Sequence, residues 1–453
     1  MSIHTQPMFR IIFVSIILAT FLSSCSKSVD NNNEPPTKPD TPIVVLKTAD
    51  SVLVINEKPT AMKEANRLAQ SFPASDFSPT GFYLPPNTSM TLSVTLLKGT
   101  RTPSLMIGTY SRYKNKWNPT VRKLNAGSNN ITDADGGILY IIYTNDAPSD
   151  QVSIRFINGM RPIPYFQLGR TTQEDWVKMV DSLKNVPDVQ LVGDKTMITF
   201  SLENANKVKN EKMENLVKRA DRVIAIEDSI SGLFGADPLD KPNTHKYLLT
   251  ESDNPDYYMA ATYYRTWYRS SDAVSAILKA EGFTWGPWHE LGHMHQQGSW
   301  TWSELSEVTV NVYSLAVEKA LGYTSTRLSS QGEWAKAKAY LAKPDTEKNF
   351  NNGSVSVWLR LCMFQQLKLA FGDSFYHSLH RLARRETNRP SSTDAKMRWF
   401  MLKACSISGK NLSSFFKNWG FQLSSQTLTD AVFTDIYKLN LPAPDADLTQ
   451  LTD

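Results

Sequence analysis

Two histidines four residues apart, with a glutamate beside the first, carry the clearest chemistry in this sequence: His289-Glu290-Leu291-Gly292-His293. The chain has only 7 histidines, and three of them, His289, His293 and His295, fall within one seven-residue window. On a helix turning ~100° per residue, His289 and His293 lie ~40° apart and one turn separated, so both imidazoles can meet one Zn2+. Glu290 falls ~60–100° to the side of both. There it can take the proton of a water activated by the metal rather than bind the metal itself. His295 projects to the other side. Pro287 suits a first helical position and Gly298 a C-terminal cap, so the motif is expected on a short helix of its own. A catalytic zinc needs a third protein ligand and an open position for water. The longer form HExxHxxGxxH is absent, because Gln296 and Ser299 stand where its glycine and third histidine would be. A glutamate from a second helix remains, and Glu304 and Glu307 are the candidates. Thr301-Trp302-Ser303-Glu304 reads as a capping box, with Glu304 reaching back to the Thr301 amide. That gives Glu304 a structural task and leaves Glu307 about one turn into the helix, able to face the histidines. Asn311, one turn beyond Glu307, is a candidate partner for a ligand imidazole.

These residues need a scaffold, and 453 residues are too many for one compact core. We read an α+β chain in three folded parts. Residues 43–163 carry short alternating runs, such as Met90–Leu96 and Val152–Ile157, broken by Pro85-Pro86-Asn87 and Asp135-Gly136-Gly137. That punctuation predicts a β-sandwich, preceded by a helix over roughly Lys58–Ser71. Residues 164–330 are expected to form the catalytic zinc domain, with helices predicted at Thr172–Leu183 and Ala205–Asp228 and a strand at Thr196–Leu202. Residues 331–453 form a mostly helical C-terminal subdomain, with amphipathic stretches at Glu333–Leu341, Ser354–Phe371, Ser374–Arg385, Asp394–Ser406 and Leu412–Trp419.

The first 42 residues read as export and tethering. Arg10 precedes an apolar run, Ile11 to Phe21, of signal-peptide length, and Leu22-Ser23-Ser24-Cys25 is similar to a bacterial lipobox. Residues 1–24 are thus expected to be a lipoprotein signal peptide, Cys25 the lipidated residue, and 25–42, rich in Asn, Pro, Thr and Asp, a flexible linker. Ser26 after the cysteine favours the outer membrane, hence a cell-surface lipoprotein held by its N-terminal lipid. Cys362 and Cys405 lie in apolar helical stretches, either paired or as buried thiols. With 49 basic and 44 acidic residues interspersed and a net charge of +5, no nucleic-acid footprint is present.

Trp285 to His293, Gln296, and Glu307-Val308-Thr309-Val310-Asn311 resemble the M60-like (enhancin-like) peptidases. Gly81–Pro85 and Gly136–Ile141 resemble that family's N-terminal β-domain, and Leu361–Gly372 and Phe415–Phe421 its C-terminal helical part. The resemblance implies a gluzincin-type fold with Glu307 as the distal zinc ligand. It also implies a peptide or glycoprotein substrate, often a mucin-type protein with an O-glycan near the scissile bond. It does not extend to the segment between about Lys241 and Ser270. There Tyr257, Tyr258, Tyr263, Tyr264 and Tyr268 read as a packed aromatic cluster, or as a source of an oxyanion donor. Trp285, Trp288, Trp300 and Trp302 flank the motif, to stack on sugars or to support the metal helix. A non-catalytic glycan-binding lipoprotein and a zinc amidase acting on a non-peptide amide are the competing readings.

Overall fold

Alternation along the N-terminal strands produces two facing antiparallel sheets. In Ser89–Lys98, Met90, Leu92 and Val94 are buried while Thr91, Ser93 and Thr95 are not, the period-two signature of a half-buried strand. One sheet orders its four strands as Val52–Asn56, Gln151–Asn158, Ser89–Lys98 and Gly127–Thr132. The other orders five, Thr120–Lys123, Ser104–Ile107, Gly137–Ile142, Phe77–Leu84 and Arg161–Pro162. Between them lies a core that includes Leu92, Ile107, Leu139, Ile141, Ile154 and Phe156. Residues 48–453 are the ones described in this computed structural model. The expected signal peptide, Cys25 and the linker lie outside the described residues.

The five-stranded sheet is apolar on both faces. In Gly137–Ile142, Leu139 and Ile141 face the sandwich core, whereas Ile138 and Tyr140 join the larger core of the following region. Tyr140, fully buried, bonds Thr109 Oγ1 at 2.7 Å and accepts from Gln190 Nε2 at 3.0 Å. Arg112, beside this sheet, pairs with Asp188 at 3.0 Å. The described residues accordingly belong to one compact unit.

Behind the sandwich stands a six-stranded mixed sheet. Its order is Tyr165–Gln167, Asp188–Val192, Thr196–Ser201, Tyr247–Ser252, Arg265–Arg269 and Met259–Thr262, the last being an antiparallel edge strand. The expected strand at Thr196 and the helix at Gln173–Ser182 are present. The helix expected over 205–228 is two helices, Leu202–Val208 and Met213–Ile230. A tertiary contact makes the break: the Gln173 side chain donates to the Lys209 carbonyl at 2.8 Å and accepts from the Met213 amide at 3.2 Å. The C-terminal helices Glu333–Leu341, Val357–Phe371, Asp373–Arg385, Thr393–Ser408 and Ser413–Asn418 lie where expected, but Val357–Phe371 is buried all round from Leu359 to Lys368 rather than amphipathic. A further helix, Gln426–Lys438, buries only Thr429, Val432 and Ile436, too narrow a stripe to announce itself. Cys362 and Cys405 are both free and buried, and burial pushes both thiols up, that of Cys405 to about 11. Among the described residues no helix is long and apolar enough to cross a membrane.

Candidate metal centre

The motif occupies the helix Trp285–His293. Pro287 is its third residue rather than its first, and Met294, not Gly298, closes it; Gly298 instead begins a short turn, Gly298–Trp300. Proline is tolerated there because the first N–H groups of a helix have no intrahelical partner. The inner face buries Trp288 and Leu291. Gly292, between the two histidines, lets the helix press against its neighbour Ser306–Ala320. A methyl at Gly292 would meet the Val310 carbonyl at 2.9 Å and Val310 Cγ2 at 3.0 Å.

That neighbour supplies Glu307. Its Oε2 lies 3.0 Å from His289 Nε2 and 3.6 Å from His293 Nε2, and the two Nε2 atoms are 3.2 Å apart. Ligands at ~2.0–2.1 Å from a tetrahedral zinc sit about 3.3–3.4 Å from one another, so the three donors have the spacing of one coordination shell. The other ring nitrogens are held. His289 Nδ1 bonds Asn311 Oδ1 at 2.9 Å, and His293 Nδ1 bonds Gln296 Oε1 at 2.7 Å. Both amides are oriented by their NH2 groups. Asn311 Nδ2 donates to the Glu307 carbonyl at 2.8 Å, and Gln296 Nε2 to the Ser306 carbonyl at 2.6 Å and Thr309 Oγ1 at 2.8 Å. With their oxygens thus turned to the rings, each Nδ1 must donate, and each Nε2 is left with a lone pair. Two lone pairs and a carboxylate oxygen converge with nothing between them to attract, a donor set that fits a divalent cation.

The capping box expected at Thr301–Glu304 does not form. Thr301 Oγ1 bonds Thr309 Oγ1 at 2.9 Å, and Glu304 accepts from Ser303 Oγ at 2.6 Å. A short turn, Ser303–Leu305, precedes the helix, so Glu307 stands in its first turn. The cluster of possible metal-holding groups comprises His289, His293 and Glu307. Glu304 is not among them.

Residues 159–420 match the family described as peptidase M60, enhancin and enhancin-like, and residues 59–156 match the N-terminal domain of M60-like peptidases. The chain belongs to the peptidase M60 family. A functionally unknown conserved protein from Bacillus anthracis str. Ames is 34% identical with a TM-score of 0.79, over 89% of this chain and 81% of that one. The M60 catalytic domain of Clostridium perfringens ZmpC, solved in complex with the sialyl T antigen, shares the fold at 19% identity. Its TM-score is 0.74, over 88% of this chain and 81% of that one. Human TRPM8 channel-associated factor 1 is 25% identical over 70% of this chain and 34% of its own length. The chain thus spans about a third of the curated relatives it matches.

Around the cluster, this M60 site is closed on one side and open on the other. Glu290 is buried, and burial raises its carboxyl above the ordinary range against the pull of His289 and His293. Glu307 keeps 58% of its side chain exposed, which leaves the cluster reachable from solvent. His295 points away from the histidine pair. Its Nδ1 lies 2.9 Å from Glu227 and its Nε2 3.3 Å from Asp228, both on the helix Met213–Ile230. Burial alone would lower the imidazole, but Asp228 and Glu227 override it and raise it to about 10. A buried ion pair thereby ties the end of the motif helix to its support. Trp288, Trp300 and Trp302 are packed in the core, with their indole N–H groups donating to Phe283 O, Gln297 Oε1 and Asn351 Oδ1. Only Trp285 is half-exposed. Tyr268 is fully buried, whereas Tyr257, Tyr258 and Tyr263 are exposed. The role of Gln296 escaped sequence reasoning, because it lies in the turn beyond the motif helix, where no helical spacing points it back at His293.

Proposed function

We propose that this chain is a zinc-dependent endopeptidase of the gluzincin type, acting on O-glycosylated, mucin-type proteins. One observation carries the reading: three donors at coordination spacing, with both imidazoles held in the tautomer that presents Nε2. His289, His293 and Glu307 would hold the metal. When bound, zinc supplies Lewis acidity, polarising the scissile carbonyl and acidifying a water. Glu290, one residue from His289 and buried beside the cluster, takes the proton of the attacking water and delivers it to the leaving amine. Its burial raises its affinity for that proton, which suits a group that must accept and then donate. Asn311 and Gln296 keep the rings from turning. The glycan preference is supported by the family resemblance and by the sialyl T antigen held by the ZmpC domain.

Incubating the purified chain with mucin, with and without a chelator, tests the reading. Cleavage that stops on chelation and returns with zinc supports it. Binding without cleavage, unaffected by the chelator, would replace it with a glycan-binding role.

A further inference from the structure

We propose that Arg327, set in a notch between Trp285 and Trp358, is a subsite that reads a carboxylate on the substrate, a reading that rests on the peptidase function above. The two indoles lie 5.8 Å apart with their planes at 60°. The guanidinium carbon sits 4.7 Å from one ring centroid and 4.8 Å from the other. Arg327 Nε is buried without a hydrogen-bond partner. Among the described residues, none accepts from either Nη, and no carboxylate pairs with the guanidinium. The nearby Glu318 carboxylate is engaged by the Arg327 backbone N–H at 3.0 Å. An arginine spends several donors wherever it is structural, and an unused guanidinium at a half-exposed position is a poor choice for packing alone.

Both walls of the notch are carried by segments tied to the metal cluster. Trp285 is one turn before His289 on the motif helix, a rise of about 6 Å. On the other wall, Trp358 is two residues before Arg360, whose Nη1 reaches the carbonyl of Glu304 at 3.4 Å, three residues before Glu307. Two aromatic walls exclude water from the guanidinium and strengthen its attraction for an anion. The planar fork then selects a two-oxygen, planar partner, which is a carboxylate. Such a group can come from an acidic sugar on the glycan or from an Asp or Glu side chain of the peptide.

Two pairs of synthetic glycopeptides distinguish the sources. One pair carries a neutral peptide with a sialic-acid-capped or an uncapped glycan. The other carries the uncapped glycan with Glu or Gln beside the glycosylated threonine. KM for the zinc-loaded chain is measured, together with direct binding by quenching of tryptophan fluorescence. We expect the acidic member of one pair to bind about tenfold more tightly than its neutral partner. That preference should vanish in Arg327→Gln and fall several-fold in Arg327→Lys, which keeps the charge but loses the fork. Zinc content and thermal melting verify that each variant is folded. Equal binding within both pairs overturns the proposal, as does a preference that survives in Arg327→Gln. Should that variant not fold, an undiminished preference in Arg327→Lys overturns it equally. A chain that cleaves none of the peptides counts against the peptidase reading, while the fluorescence titration still decides the subsite.

Discussion

Each histidine of the cluster turns one nitrogen toward the other donors and one toward an amide, and in the proposed site the two roles fail differently. Replacing Glu290 by Gln leaves every donor of the cluster in place, so the variant should bind zinc stoichiometrically while turnover falls by about 10²–10⁴-fold. Metal analysis beside a cleavage assay separates the two, and full activity would remove Glu290 from the reaction. Gln296→Ala acts on the other nitrogen. It frees the His293 ring, whose Nδ1 now bonds Gln296 Oε1 at 2.7 Å, and should weaken zinc affinity by about 10–100-fold. A competition titration against a chelator checks it; unchanged affinity would show that packing alone holds the ring. The Glu307 assignment follows the same logic at the residue scale. Its neighbour Glu304 is the alternative the sequence offers; the fold instead brings Glu307 Oε2 to 3.0 Å and 3.6 Å from the two imidazoles and leaves Glu304 outside the cluster.

Among the elements, helix-to-helix ties hold the site's surroundings. Asp240 accepts from Arg384 at 2.7 Å and from Arg385 at 2.9 Å, clasping the loop after the Met213–Ile230 helix to the helix Asp373–Arg385. Burial would raise this carboxyl, but the bonds from Arg385 and Arg384 hold it down to about 2. A carboxylate depressed in the folded state stabilises fully above its unfolded value of about 3.9 and loses that contribution as pH falls toward the folded value. Asp240→Asn should therefore lower the melting temperature at about pH 6, and the difference from the parent should shrink between about pH 4 and 2. A constant difference across that window would assign the effect to packing. Elements with strong local patterns were legible: the motif helix, the sandwich strands and most C-terminal helices. The segment 241–270 was not. Its strand Tyr247–Ser252 is ordered by Thr196–Ser201, distant in sequence, and Met259–Thr262 and Arg265–Arg269 form a hairpin beside it, but their aromatic, polar mixture matches no single period. The break at 209–212 was invisible for the same reason, since Gln173 makes it from another helix.

At the scale of the molecule, the five-stranded sheet decides how the parts behave. With Leu139 and Ile141 serving one core and Ile138 and Tyr140 another, neither part can leave without exposing a sheet face to water. Each large side chain so exposed costs about 1.5–3 kcal/mol. Calorimetry of the described chain should accordingly show one cooperative transition; two resolved transitions would mean that the shared sheet couples the parts only weakly.

The amides that fix His289 and His293 are themselves bound to the backbone and hydroxyl of the helix that presents Glu307. Removing the ion therefore unties nothing that orients its holders. Emptying the site should be a reversible act, with the far-ultraviolet dichroism unchanged and activity regained on adding zinc back without any refolding step.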